Sequence, residues 1–265
     1  MIILFLSSGL LLGWSLGAND AANVFGSAVG SKMVSFRQAA IISSIFVIIG
    51  SVVQGTGASD TLGRLGAVNA IGGSFTVALA AAIVVFMMTK FALPASTTQA
   101  IVGAIIGWNL FTGNPTDATT LTNILSTWVS GPVLGAVFAV ILYILLKTVK
   151  RKSAIHLVRF ESYIRTGLII VGAFGAYSLG ANNIANVMGV FVPAFNLHPL
   201  DLKLFTLSSQ QQLFLLGSLA IAAGIITYSR RVMEQVGNNI MELSSESALV
   251  VVLSQALVLF IFSSS

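Results

Sequence analysis

Long apolar blocks alternate along this chain with short stretches of Gly, Pro, Ser or charge. Read block by block, the pattern predicts membrane-crossing helices over roughly 1–30, 38–55, 73–91, 94–111 and 121–147. After a basic interval come 166–193, 209–229 and 245–262. Two of these blocks carry a polar cluster inside them. At Gly17-Ala-Asn-Asp20 and at Gly180-Ala-Asn-Asn183 the expectation is an unwound helix that frees backbone groups for a ligand. The pair 73–111 is long enough either for two crossings or for a re-entrant hairpin.

The polar clusters are copies of one another. SLGANDAANVFGSAVG at 15–30 returns as SLGANNIANVMGVFV at 178–192. Five crossings before the second copy is an odd number, so the second unit enters from the opposite side, which is an inverted repeat. The domains expected are therefore a first repeat, 1–147, a basic cytoplasmic loop, 148–165, and a second repeat, 166–265. Setting Phe86 against Phe260 puts the counterpart of Pro94 past Ser265. The second repeat is therefore expected to be incomplete at its C-terminal end, and the chain inactive without the remainder.

Composition turns the block pattern into a membrane assignment. Apolar residues make up 56% and charged ones 8%, with a mean hydropathy of +0.95; soluble domains are about one quarter charged. The net charge of +5 does not form a nucleic-acid face, because six of the thirteen cations fall between Lys147 and Arg165. Tracing crossings from an external N-terminus leaves only Arg64 and Lys203 outside, a strong positive-inside bias for a multi-pass protein of the cell membrane. Residues 1–16 lack a basic n-region and are kept as the first span rather than a leader. With no cysteine and two histidines, His156 in the basic loop and His198 beside Pro199, thiol and zinc chemistry are excluded, and no enzymatic role is expected.

Asp20 is the acid of the first polar cluster, and a carboxylate at membrane depth costs roughly 3 kcal/mol or more. Its compensation is a distant residue, a proton or a cation such as sodium; Asn19 and Asn23 supply amide oxygens of the kind an alkali cation takes. The spacing of Gly26 and Gly30 reads first as helix packing. In FALPASTTQAIVG, 91–103, Pro94 closes one helix and Ser96, Thr97 and Thr98 open the next. There the unpaired N–H groups and the helix dipole favour an oxyanion, with N-capping as the plainer use of one hydroxyl. A cation site and an anion site in one membrane domain point to coupled movement of a salt.

The motifs Gly17-Ala-Asn-Asp-Ala-Ala-Asn23, Pro94-Ala-Ser-Thr-Thr98 and Gly180-Ala-Asn-Asn-Ile-Ala-Asn186, in that order, resemble those of the inorganic phosphate transporter (PiT) family over the whole chain. The resemblance implies an all-α polytopic membrane protein, an inverted-repeat secondary transporter with broken or re-entrant helices. It implies uptake of inorganic phosphate with sodium or protons. Ser96, Thr97, Thr98 and Asn182 would hold phosphate, and Asp20, Asn19, Asn23, Asn183 and Asn186 would serve the coupling ions. No cofactor beyond Na+ or H+ is implied; the partners are phosphate, these ions and the lipid bilayer, with a homodimer left open and nucleic acid excluded. Asn183 stands where the first motif has Asp20, so the two copies are chemically unequal. Sulfate or a metal–phosphate complex as cargo, a small-cation channel and a non-transporting membrane subunit remain as alternatives.

Overall fold

The computed structural model describes residues 2–65, 68, 71–152, 157–201, 203, 206–237 and 243–263. The helices are α1 (Ile2–Gly30), α2 (Phe36–Gln54), α3 (Thr56–Leu65), α4 (Ile71–Lys90), α5 (Thr97–Thr112), α6 (Ala118–Lys152), α7 (Leu157–Met188), α8 (Ser209–Gln235) and α9 (Ser245–Ser263). A 3-10 turn, Gly189–Ala194, follows α7, and a two-residue hairpin, β1 (Leu200–Asp201) with β2 (Thr206–Leu207), precedes α8. Six helices, among the described residues, are long and apolar enough to cross a membrane: α2, α4, α6, α7, α8 and α9. Large apolar side chains remain exposed in stripes, such as Ile41, Ile45, Ile49 and Val53 on α2 and Val129, Val133, Val137, Val140 and Ile144 on α6. A surface of this kind is stable against hydrocarbon, not water.

Most expected blocks appear as helices to within about five residues, but α7 begins at Leu157, well before the expected 166, and α8 runs on to Gln235, past the expected 229. Ser35 and Gln38 form a capping box at α2, and Ser208 with Gln211 does the same at α8. The two polar clusters also differ. Both were expected to unwind, yet α1 is helical through Gly17–Asn23 and α7 through Gly180–Asn186. The reason lies in the neighbouring helices. A Cβ on Gly17 would sit 1.9 Å from the Ile221 carbonyl oxygen of α8, and one on Gly180 would sit 2.2 Å from the Val47 carbonyl oxygen of α2. These glycines are contact points where backbones cross, not places where the helix opens.

The crossings come in matched sets. On α8, Gly224 faces the Trp14 carbonyl of α1, and on α2, Gly50 faces the Tyr177 carbonyl of α7, each at 2.0 Å from the missing Cβ. The interval from Gly17 to Gly180 equals that from Trp14 to Tyr177, and the interval from Val47 to Ile221 equals that from Gly50 to Gly224. Direction follows from the same contacts. Along α1, Gly9 meets Phe191 of the 3-10 turn, and Gly13, Val24 and Phe25 meet Val187, Gly175 and Gly172 of α7, in descending order, so α1 and α7 run antiparallel.

The 73–111 pair is a hairpin whose open ends share one side. Phe5 of α1 stacks edge-on against Phe75 of α4, Trp14 lies against Phe86, and Asn19 reaches the turn after Lys90. Trp108 of α5 then returns to Gly73 at the start of α4. At 1.5 Å per residue, the hairpin tip beside Asn19 lies roughly 16 Å short of the end of α1 at Gly30. The tip therefore lies part-way along α1, while α4 is itself long and apolar enough to cross a membrane. Helix α3 and the β1–β2 hairpin had no counterpart in the block pattern, and His156 lies outside the described residues.

Candidate functional site

The turn between α4 and α5 is built by a sequence of local bonds. Helix α4 closes with Ala92 in the left-handed region (φ 55°), the Ala92 N–H donating to the Thr89 carbonyl and the Leu93 N–H to the Met88 carbonyl. This is the Schellman pattern, here without the usual glycine. The strand-like link Leu93–Ser96 then leads to α5, where Ser96 is the N-cap, its hydroxyl accepting from the Gln99 N–H at 3.3 Å. The plainer, capping reading of the hydroxyl motif is thus correct for Ser96. Among the described residues nothing accepts from the Thr97 and Thr98 N–H groups, which are the first two of α5. They are free donors at the positive end of a helix.

Asn19 is fully buried and holds this link in place. Its Nδ2 donates to the Thr89 hydroxyl at 3.0 Å and to the Leu93 carbonyl at 2.9 Å, and its Oδ1 accepts from the Ala95 N–H at 2.9 Å. Both amide hydrogens and the oxygen are thereby engaged. Asn19 thus serves the link as a latch, and its oxygen keeps one lone pair beyond the Ala95 bond. Its neighbour Asp20 is 5% exposed and turns the other way, toward α5, where the Thr97 hydroxyl lies 3.3 and 3.5 Å from the two carboxylate oxygens. These are long contacts that leave acceptor capacity open.

The second polar cluster meets the same tip. Asn186 of α7 donates to the Thr98 hydroxyl and to the Asn183 Oδ1, both at 2.9 Å. Asp20, Asn23, Pro94, Ala95, Ser96, Thr97, Thr98 and Asn183 line an open cavity of about 310 Å³, room for several waters at about 30 Å³ each. Asn182, expected on phosphate, does not line it and is half-buried elsewhere on α7. Helical spacing accounts for the difference. Asn19 and Asn182 are each turned about 100° from the next residue, Asp20 and Asn183, and lie on the other flank of Asn23 and Asn186, four positions on. Thr89, absent from the sequence reading, belongs to the site through its bond to Asn19. Its hydroxyl, following the apolar run Val77–Met88 near the end of α4, was the available signal.

The cavity thus holds one carboxylate, two amides, hydroxyls and free helix N–H donors, with no cationic side chain in its wall. Such a wall can take an oxyanion at the donors only if a cation joins it at the acid. A helical membrane protein with a polar cavity at the tip of a helical hairpin has the build of a membrane transporter. The comparisons make this specific. The model of the phosphate transporter family matches residues 16–265, and the chain belongs to that family.

Relatives include a protein of Pyrococcus horikoshii named as a phosphate permease, 26% identical over 99% of this chain and 83% of its own length. Another of that name, in Methanocaldococcus jannaschii, is 29% identical over 93% of this chain and 73% of its own. Sodium-dependent phosphate transporter 1 of Mus musculus is 31% identical over 63% of this chain and 25% of its own length. A solved structure titled the sodium-dependent phosphate transporter shares the fold, with a TM-score of 0.81 at 22% identity, over 99% of this chain and 84% of that one.

Proposed function

We propose that the chain takes up inorganic phosphate together with sodium by alternating access, with both ions held in the cavity between α1, α5 and α7. Asp20 and the Asn23 and Asn183 amide oxygens form the cation side, and the Thr97 and Thr98 N–H and hydroxyl groups form the anion side. Asn186 positions Thr98, and Asn19 positions the whole link. The observation that carries the reading is Asp20 set beside unpaired N–H donors at the start of α5, in a cavity without a basic side chain. The acid alone would repel phosphate; with sodium on it, the pair enters as a near-neutral salt.

The two halves, 1–147 and 166–265, are proposed to work as inverted repeats joined by the 148–165 segment. The matched glycine crossings and the antiparallel course of α1 and α7 support that division. Asn183 then replaces the charge of Asp20 in the second half, so one fixed carboxylate serves both ions. Sodium is preferred to protons because the mouse relative and the solved neighbour both carry the name sodium-dependent. The test is labelled-phosphate uptake into liposomes holding the protein, with sodium and proton gradients imposed separately and sulfate as competitor. Uptake driven by sodium and untouched by sulfate is expected; uptake driven by the proton gradient alone, or by neither, would overturn the proposal.

A further inference from the structure

The last turns of α6 and the first of α9 carry a cluster that the transport site does not use. Lys147, Lys150 and Arg151, with Tyr143 and Leu146, face Glu246 across an opening of about 520 Å³. Lys150 pairs with Glu246 and also lies over the Phe160 ring. One carboxylate against three cations leaves two positive charges unmatched in this opening. By the positive-inside rule this is the cytoplasmic end of the pair.

The seam continues into the membrane as a groove of different chemistry. Gly131, Pro132, Gly135, Ala136 and Ala139 of α6 face Val251, Ser254, Gln255, Val258 and Leu259 of α9 around about 380 Å³ of almost wholly apolar space. Small residues usually bring helices together. Here they do not: a Cβ on Gly131 or Gly135 would meet nothing nearer than 3.8 Å and 4.0 Å, in contrast to the blocked positions at Gly17 and Gly224. The missing side chains leave a slot. From Ala139 to Gly131 it runs roughly 12 Å at 1.5 Å per residue, within the half of a 30 Å hydrocarbon core that one leaflet fills. Tyr143 stands where an interfacial aromatic residue belongs.

We infer that the α6–α9 seam is a binding site for an anionic phospholipid of the cytoplasmic leaflet, its headgroup phosphate on Lys147, Lys150 and Arg151 and an acyl chain in the slot between Gly131 and Ala139. The charge of the mouth and the one-leaflet depth of the groove select this occupant over a second copy of the chain, whose matching face would set one net-positive opening against another. Basic pockets between membrane helices on that side take such headgroups.

The experiment is native mass spectrometry of the detergent-purified protein titrated with phosphatidylglycerol and, separately, phosphatidylcholine. Phosphatidylglycerol should bind about 30-fold tighter, which at 1.4 kcal/mol per factor of ten is about 2 kcal/mol, the worth of two net cations at an anionic surface. The Lys147→Gln/Lys150→Gln/Arg151→Gln variant should lose that preference. Ala136→Leu, which fills the slot and leaves the charges, should weaken both lipids. Equal binding of the two lipids by the unaltered protein would overturn the inference. So would displacement of phosphatidylglycerol by millimolar inorganic phosphate, which would make the mouth a free-phosphate site. A lipid-free dimer abolished by Ala136→Leu would give the groove to a second copy.

Discussion

Replacing Asn19 with Ala separates a latch from an ion ligand. The side chain makes three hydrogen bonds, at 3.0, 2.9 and 2.9 Å, to Thr89, Leu93 and Ala95, all on the link that carries the anion donors. At about 1 kcal/mol net for each, the link loses about 3 kcal/mol, and more if the partly buried Ala95 N–H stays unpaired. Opening of residues 91–96 should then rise on the order of a hundredfold. Hydrogen exchange followed by mass spectrometry on peptides covering the link reads this directly, with α2 peptides as the internal reference. Phosphate uptake should fall at every sodium concentration, because Thr97 and Thr98 are no longer held in place. Unchanged protection at 91–96, with only the sodium dependence of uptake shifted, would refute the latch and restore Asn19 to the ions.

Gly17→Ala and Gly180→Ala should each lower thermal stability in detergent by about 1–3 kcal/mol or more, since the obstacle is a carbonyl oxygen of the neighbouring backbone. Gly103→Ala, with nothing within 4 Å, should be neutral or stabilising; equal melting of all three would contradict the crossing geometry. Asn186→Ala removes two bonds at the α5 start and should raise the KM for phosphate tenfold or more, while Asn182→Ala should leave it near the unaltered value. A larger effect at Asn182 would reverse the assignment of the two amides.

The helices were legible because a membrane span is a local property: composition and length over some twenty residues decide it, and caps such as Ser35 and Ser208 are local too. What the sequence misassigned depends on distant backbone. Gly17 looks like a break until Ile221, far along the chain, is seen lying across it. The polar clusters were correctly marked as chemical, but the division of labour within them follows from helix rotation. Asp20 and Asn23 point into the cavity, and Asn19 points at the hairpin. Adjacent positions in a motif do not share a face, so the motif alone could not apportion them. Helix α3 was missed because Thr56–Leu65 is short and not apolar on average; its apolar residues, Ala58, Leu62 and Leu65, make one narrow face instead of a membrane-length block.

The claim on which the account rests is that one cavity holds the acid and the anion donors for two ions bound together. Phosphate binding measured against sodium concentration, for the unaltered protein and for Asp20→Asn, tests it most directly. The substitution introduces the amide that α7 already carries at Asn183, so the helix tolerates it. In the unaltered protein saturating sodium should tighten phosphate binding about tenfold or more, a coupling of at least about 1.4 kcal/mol, and in the variant that gain should vanish. An Asp20→Asn protein whose phosphate affinity still rises with sodium as the unaltered one does would contradict the account.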